Sequence, residues 1–235
     1  MKRIPLLFIL SVLGVCDLPA VTTLSNGHVD IWEVHYDAST RPAEFALHVH
    51  DDETGFHYEP ADVILQVNES SYFSSPATLS GVLGSSAYIL PASQEADMLY
   101  GGVSAVGSTG VFQNNRISLR MVSAGSNNPG NFVLYRFGGS GNLQIGLQAT
   151  GANVDIQQFT VPVGGHEHWN WGFSNPGIYT FEIKAVGVLV ADLSVLETPV
   201  ELYTFQVIPE PSTGVLLVVG LMGLVRYQKR ERHSS

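Results

Sequence analysis

The chain has 235 residues, 45% of them hydrophobic and 14% charged, with 24 glycines, 12 prolines and a single cysteine. Such a composition excludes disorder over most of the length, which needs low hydrophobicity and dense charge, and one cysteine excludes an internal disulfide scaffold. The formal net charge of −10 argues against a nucleic-acid surface, whose affinity comes from Lys and Arg on phosphates. The charge is also unevenly placed. Lys2 and Arg3 open the chain and Arg226, Lys229, Arg230 and Arg232 close it, so residues 21–206 hold five basic against 18 acidic residues, a net −13.

Residues 1–20, MKRIPLLFILSVLGVCDLPA, combine a basic start, an apolar run from Ile4 to Val15 and a short polar stretch ending at Ala20. That layout predicts a secretory signal helix removed after Ala20 by signal peptidase. Cys16 follows Val15, which is too bulky for the small residue that precedes a lipid-modified cysteine. Its place in the signal leaves residues 21–206 without any cysteine.

Residues 21–206 read as one β domain. The runs Glu44–His50, Asp62–Val67, Ile117–Ser123, Asn131–Phe137, Asn153–Val163, Ile178–Val186 and Val200–Val207 are rich in Val, Ile, Phe, Tyr and Thr. Turn chemistry separates them: Asn127-Asn128-Pro129-Gly130, Gly138-Gly139-Ser140-Gly141-Asn142, Gly164-Gly165 and Asn175-Pro176-Gly177. No window in the body sustains a helical period with caps, so the expected fold is all-β, an antiparallel β-sandwich flanked by the signal helix and a C-terminal hydrophobic helix. Alternation puts Phe45, Leu47 and Val49 on the core face, and His48 and His50 together on the other. The apolar set of Asn153–Val163 needs a change of phase near Gln157-Gln158, which a bulge would supply.

Seven of the eight histidines lie in this body, five of them in 28–57 (His28, His35, His48, His50, His57) and two as His166-Glu167-His168. An H-x-H pair on extended backbone sets two imidazoles on one side, which is ligand geometry for Zn, Cu or Ni. A site built from His48, His50, His166, His168, His28 and Asp30 is therefore the candidate metal centre, for zinc or another divalent metal, with Asp51, Asp52 and Glu167 as further acids. The competing reading has exposed histidines that only titrate, and a second pair packed beside Trp169, Trp171 and Phe173. Asp51-Asp52-Glu53-Thr54-Gly55 offers oxygen ligands for Ca²⁺, but without the spacing of an EF-hand it reads first as a turn.

After the body come Pro209-Glu210-Pro211, Ser212-Thr213, an apolar run from Gly214 to Val225, and the basic cluster. The run is shorter than the ~20 residues of a free-standing membrane span, and the basic residues after it would stay on the cytoplasmic side. This segment, 207–235, resembles the PEP-CTERM sorting signal of Gram-negative bacteria. The resemblance implies export across the inner membrane, a membrane anchor through the C-terminal helix, recognition by an exosortase, and life among extracellular polysaccharide and biofilm matrix.

A second resemblance covers the body. GHVDIWEVHYD (27–37), FALHVHDDE (45–53), LPASQEADMLYGGVSA (90–105), NPGNFVLYRF (128–137), GGHEHWNWGFSNPGIYTFEI (164–183) and YTFQV (203–207) resemble the bacterial surface-anchored domain called choice-of-anchor M. Related repeats in wall proteins travel with ABC transporters whose solute-binding components look like metal binders, which implies metal handling and metal-transport partners at the cell surface. The resemblance carries no catalytic activity. The residues agree: there is no GxSxG, P-loop or HExxH pattern and no cysteine nucleophile in the body. The sequence thus predicts a non-enzymatic, exported, envelope-anchored protein that binds a divalent metal through clustered histidines. A matrix or adhesion module whose Tyr, Trp and acidic surface contact polysaccharide is the alternative. A metallohydrolase using the two H-x-H pairs with Glu167 as base comes third.

Overall fold

A computed structural model describes residues 21–41, 43–107 and 109–209. The signal segment 1–20, and Glu210, Pro211 and the apolar run 214–225 of the sorting segment, lie outside the described residues. Among the described residues no helix is long and apolar enough to cross a membrane.

The body is all-β and sandwich-like, with three sheets around a shared core. A seven-stranded sheet holds Thr22–Leu24, Val63–Val67, Glu201–Val207, Gly177–Val188, Arg116–Ala124 and Gln158–Pro162 in that order, with Val195–Glu197 paired to Gly177–Val188. A six-stranded sheet runs Asn153–Ile156, Leu143–Thr150, Phe132–Phe137, Asn170–Phe173, Ser86–Leu90, Tyr72–Ser74. The third, five-stranded, runs His166–His168, Leu99–Val106, Gly27–Asp37, Glu44–Asp51, Phe56–Tyr58. Most pairs are antiparallel, as the short turn-linked runs predict, but three are parallel: Thr22–Leu24 and Glu201–Val207 each pair with Val63–Val67, and Gly27–Asp37 pairs with Leu99–Val106.

Alternation explains which side chains fill the core. In Gly177–Val188 the odd positions Tyr179, Phe181, Ile183 and Ala185 are fully buried, while Thr180, Glu182 and Lys184 face outward. Tyr203, Phe205 and Val207 repeat the pattern on the neighbouring strand. An aromatic chain then ties the sheets together. Trp32 of the five-stranded sheet lies 4.5 Å from Trp171 of the six-stranded one, Phe132 lies 4.6 Å from Phe181 of the seven-stranded one, and Phe173 lies 5.2 Å from Phe205. Tilted ring pairs at these distances add to the area they bury. A smaller cluster forms on the far side of the six-stranded sheet, where Leu79 and Leu83 of the short helical segment 77–83 cover Ala87, Ile89, Val133 and Tyr135.

The run Asn153–Val163 corrects the bulge expected within one strand. It is two strands in two sheets: Asn153–Ile156 pairs with Leu143–Thr150, and Gln158–Pro162 pairs with Arg116–Ala124. At the crossing, the Gln157 carbonyl accepts from the Met121 amide at 2.8 Å. The change of phase is a change of sheet, which lets one extended segment close the edge between two layers.

Candidate metal centre

The five-stranded sheet has one core face and one histidine face. Its core face carries Val29, Ile31, Trp32, Val34, Leu47, Val49, Val103 and Ala105, all buried. In Phe45–His50, His48 and His50 do share the opposite face, each being half-buried between buried Leu47 and Val49 or beside them.

A bulge decides what else that face carries. Asp30 pairs with His50 and Glu33 with His48, so Ile31 and Trp32 together stand opposite Val49. The extra residue sends both Ile31 and Trp32 into the core at 0% exposure and returns Glu33 to the face that holds His28 and Asp30. In regular strand Asp30 and Glu33, three positions apart, would lie on opposite faces. Cross-strand register then builds a row through all five strands: His168 opposite Gly102, Gly102 opposite Asp30, Asp30 opposite His50, His50 opposite His57. A second row runs His166, Ser104, Glu33, His48.

Gly102 makes the first row possible. A Cβ there would collide with Asp30 Oδ1 and come within 2.9 Å of His166 Nε2, so this glycine is the gap through which side chains from the two flanking strands meet. Its neighbour Gly101 does the same on the core side, where a Cβ would lie 2.7 Å from Trp171 Nε1 and 2.8 Å from Ile31 Cδ1.

Four groups converge over that gap. His28 Nε2 lies 3.1 Å from His166 Nε2 and 3.8 Å from Asp30 Oδ1, and His166 Nε2 lies 3.1 Å from Asp30 Oδ1. His168 joins them, with one ligand atom each of His28, His166 and His168 within 4.8 Å of one another. Ligands bound to one tetrahedral zinc at 2.0–2.1 Å stand about 3.3–3.4 Å apart, and the three measured separations bracket that spacing. The Asp30 side chain is 4% exposed. Its Oδ1 receives no hydrogen bond although His166 Nε2 is close, so the contact has the distance of a pair without the alignment. A buried carboxylate without a donor is costly, and a cation between it and the three imidazoles removes that cost.

The supports around the four groups are of the kind a metal site would use. His28 Nδ1 lies 2.5 Å from Asp52 Oδ2, and His168 Nδ1 lies 3.2 Å from the Gly101 carbonyl. Each ring is thereby held by its Nδ1, leaving Nε2 to face the centre, which is the usual outer-shell arrangement of metal-binding histidine. Tyr100 stacks on His168 with centroids 3.7 Å apart and planes 8° from parallel. Burial pushes the His168 imidazole below its ordinary value, partly opposed by the Gly101 carbonyl, so the ring favours its neutral, ligand-competent form.

The other predicted residues lie elsewhere. His50 belongs to a neighbouring group with Glu33 and His57. His48 stands next to His35 and His57, ring centroids 6.2 and 6.1 Å away, apart from the four converging groups. Glu167 alternates to the opposite side, where its Oε2 accepts from Arg136 at 3.0 Å and from Trp169 Nε1 at 3.3 Å. Asp51 ends its strand and braces the turn that follows: its carboxylate accepts from the Glu53 amide and the Thr54 hydroxyl, and Gly55 stands at φ +70°. Sequence reasoning counted His57 in the histidine cluster but not in the candidate site, and passed over Glu33, Tyr100 and Gly102. The signals for them were the acid-flanked pair in Asp30-Ile31-Trp32-Glu33 and the paired glycines in Tyr100-Gly101-Gly102.

His28, His166 and His168 could hold a metal ion together, with the Asp30 carboxylate beside His28 and His166 as a candidate fourth donor, a His₃Asp arrangement. Compared with known proteins, the chain matches no family model and no curated protein.

Proposed function

We propose that this protein is an exported, envelope-anchored, non-enzymatic surface protein that captures a divalent transition metal, zinc first among them, through His28, His166, His168 and Asp30. The observation that carries the metal reading is the buried Asp30 carboxylate, unbonded at Oδ1, in the middle of two imidazole Nε2 atoms at 3.1 and 3.8 Å. Three imidazoles and one carboxylate suit Zn²⁺ over Mg²⁺ or Ca²⁺, which take oxygen sets. Export and anchoring rest on the sequence of the ends: the basic-apolar-polar start, Pro209-Glu210-Pro211, the apolar run and the basic cluster.

The metallohydrolase reading loses its base, since Glu167 is engaged by Arg136 on the other side of its strand. The adhesion reading loses its tryptophans, because Trp32, Trp169 and Trp171 are all buried.

Isothermal titration of the metal-stripped full-length chain with Zn²⁺ tests the metal reading. A tight step is expected in the parent and none in the His28→Ala/His168→Ala double variant; a double variant that keeps the tight step overturns it. Mass spectrometry of the chain recovered from the envelope tests the rest, with loss of residues 1–20 as the expected result.

A further inference from the structure

A second group lies on the same sheet face, one strand further from His166–His168. We propose that Glu33, His50 and His57, with Asp52 completing the set, form a second divalent-metal site beside the His₃Asp centre. It does not rest on that centre being a metal site, since it shares none of its four donors.

The Glu33 side chain is 3% exposed, and among the described residues no lysine or arginine pairs with it. Two imidazoles lie against it: His57 Nε2 at 3.0 Å from Oε1, and His50 Nδ1 at 3.3 Å from Oε2. Oε1 receives no hydrogen bond although His57 Nε2 is close, so a nine-tenths buried carboxylate oxygen is aimed into the cluster without an aligned donor. Both the desolvation cost and the missing partner are removed by a cation held between Glu33 and the two nitrogens.

The two rings are arranged for one ion. His50 and His57 stack with centroids 4.1 Å apart and planes 8° from parallel, and each turns one nitrogen toward the same carboxylate. Asp52 Oδ1, 3.2 Å from His50 Nδ1, supplies a fourth donor at the spacing of about 3.3 Å expected between ligands of one metal. The bulge at Ile31-Trp32 brought Glu33 to this face, and the pairing of His50 with His57 brings the last ligand from the sheet edge.

The second set is N₂O₂, harder than the N₃O set of the first, and more open, since the His57 side chain is 46% exposed. It therefore takes the ion that exchanges with solvent. Asp52 joins the two sites, holding His28 Nδ1 through Oδ2 and facing His50 through Oδ1. A cation on either side leans on the same carboxylate, so the second ion binds more weakly than the first.

Titration of the metal-stripped full-length chain with Co²⁺, followed by visible absorption, and with Zn²⁺, followed by heat, tests this. The parent should take two equivalents in two steps. Glu33→Gln keeps the side-chain shape and His57→Ala alters a half-exposed residue in a short edge strand; each should remove the weaker step and leave the tight one. His28→Ala/His168→Ala should remove the tight step and leave the weaker. A parent that takes a single equivalent, removed by His28→Ala/His168→Ala, overturns the second site alone. Two steps surviving in both Glu33→Gln and His57→Ala overturn it as well. A single equivalent removed by Glu33→Gln but indifferent to His28→Ala/His168→Ala upholds the second site and overturns the first.

Discussion

The outward faces of two long strands, Gly177–Val188 and Gly27–Asp37, both carry charged and polar side chains, and they solve the problem of polarity in opposite ways. On the first, Lys184 meets Glu197 at 2.7 Å and Glu182 accepts from Ser123 at 2.7 Å, each finding one partner close to solvent. On the second, Asp30 and Glu33 are buried, each keeps an oxygen that receives no hydrogen bond, and their neighbours are imidazoles, all but His28 from other strands. Paired charges at a surface contribute little and can be exchanged for other polar residues. Buried carboxylates beside imidazoles are costly where a pair of apolar residues would often serve as well or better, and that difference sets the second face apart as the candidate binding face.

The sharpest separation of core from site should come from Phe181→Ala. This ring packs at 4.6 Å from Phe132 and is fully buried, so its loss should cost roughly 3–5 kcal/mol of stability in denaturant unfolding while the metal stoichiometry of the folded chain stays at the parent value. Gly102→Ala should do the reverse. The added methyl collides with Asp30 Oδ1, and the tight step should weaken by about 100-fold or more. Asp52→Asn keeps the shape and removes the charge behind His28 Nδ1; a loss of about 10-fold in the tight step is expected by calorimetry.

Acid should weaken the histidine face of the metal-free chain. Burial holds the His168 imidazole below 6.5, so the folded chain binds fewer protons there than the unfolded one. Its contribution is whole above the unfolded value and is lost as pH falls below it, toward the lowered folded value. Unfolding midpoints should accordingly drop between pH 7.5 and pH 5.5, and less so in His168→Gln. The smallest effect belongs to Lys184→Met, where loss of the exposed pair with Glu197 should change stability by at most about 1 kcal/mol and leave both metal steps untouched.

Much of this was legible in the residues. Alternation in Glu44–Asp51 put His48 and His50 on the face opposite Phe45, Leu47 and Val49 because period two holds wherever one face must be buried. His166 and His168 project together for the same reason. What alternation could not show is which strands are neighbours. His28 and Asp30 meet His166 and His168 only because Leu99–Val106 lies between their strands and presents a glycine at the crossing, and that is a long-range pairing with no local signal. Glu33 was hidden by the bulge, since a regular strand places it in the core. The named runs also left out Gly27–Asp37 and Leu99–Val106, where acids, histidines and glycines of the candidate site interrupt the apolar pattern. His48, although part of an H-x-H pair, lies beside His35 and His57, apart from Asp30, because its cross-strand partner is Glu33 while His50 stands opposite Asp30.

The most direct test of the central claim is X-ray absorption of the full-length chain loaded with one equivalent of Zn²⁺. The account predicts a first shell of three imidazole nitrogens and one carboxylate oxygen at about 2.0–2.1 Å, reduced to fewer imidazoles in His28→Ala/His168→Ala. A shell of water and carboxylate oxygens with fewer than two imidazoles, or the same spectrum in the double variant, would contradict it.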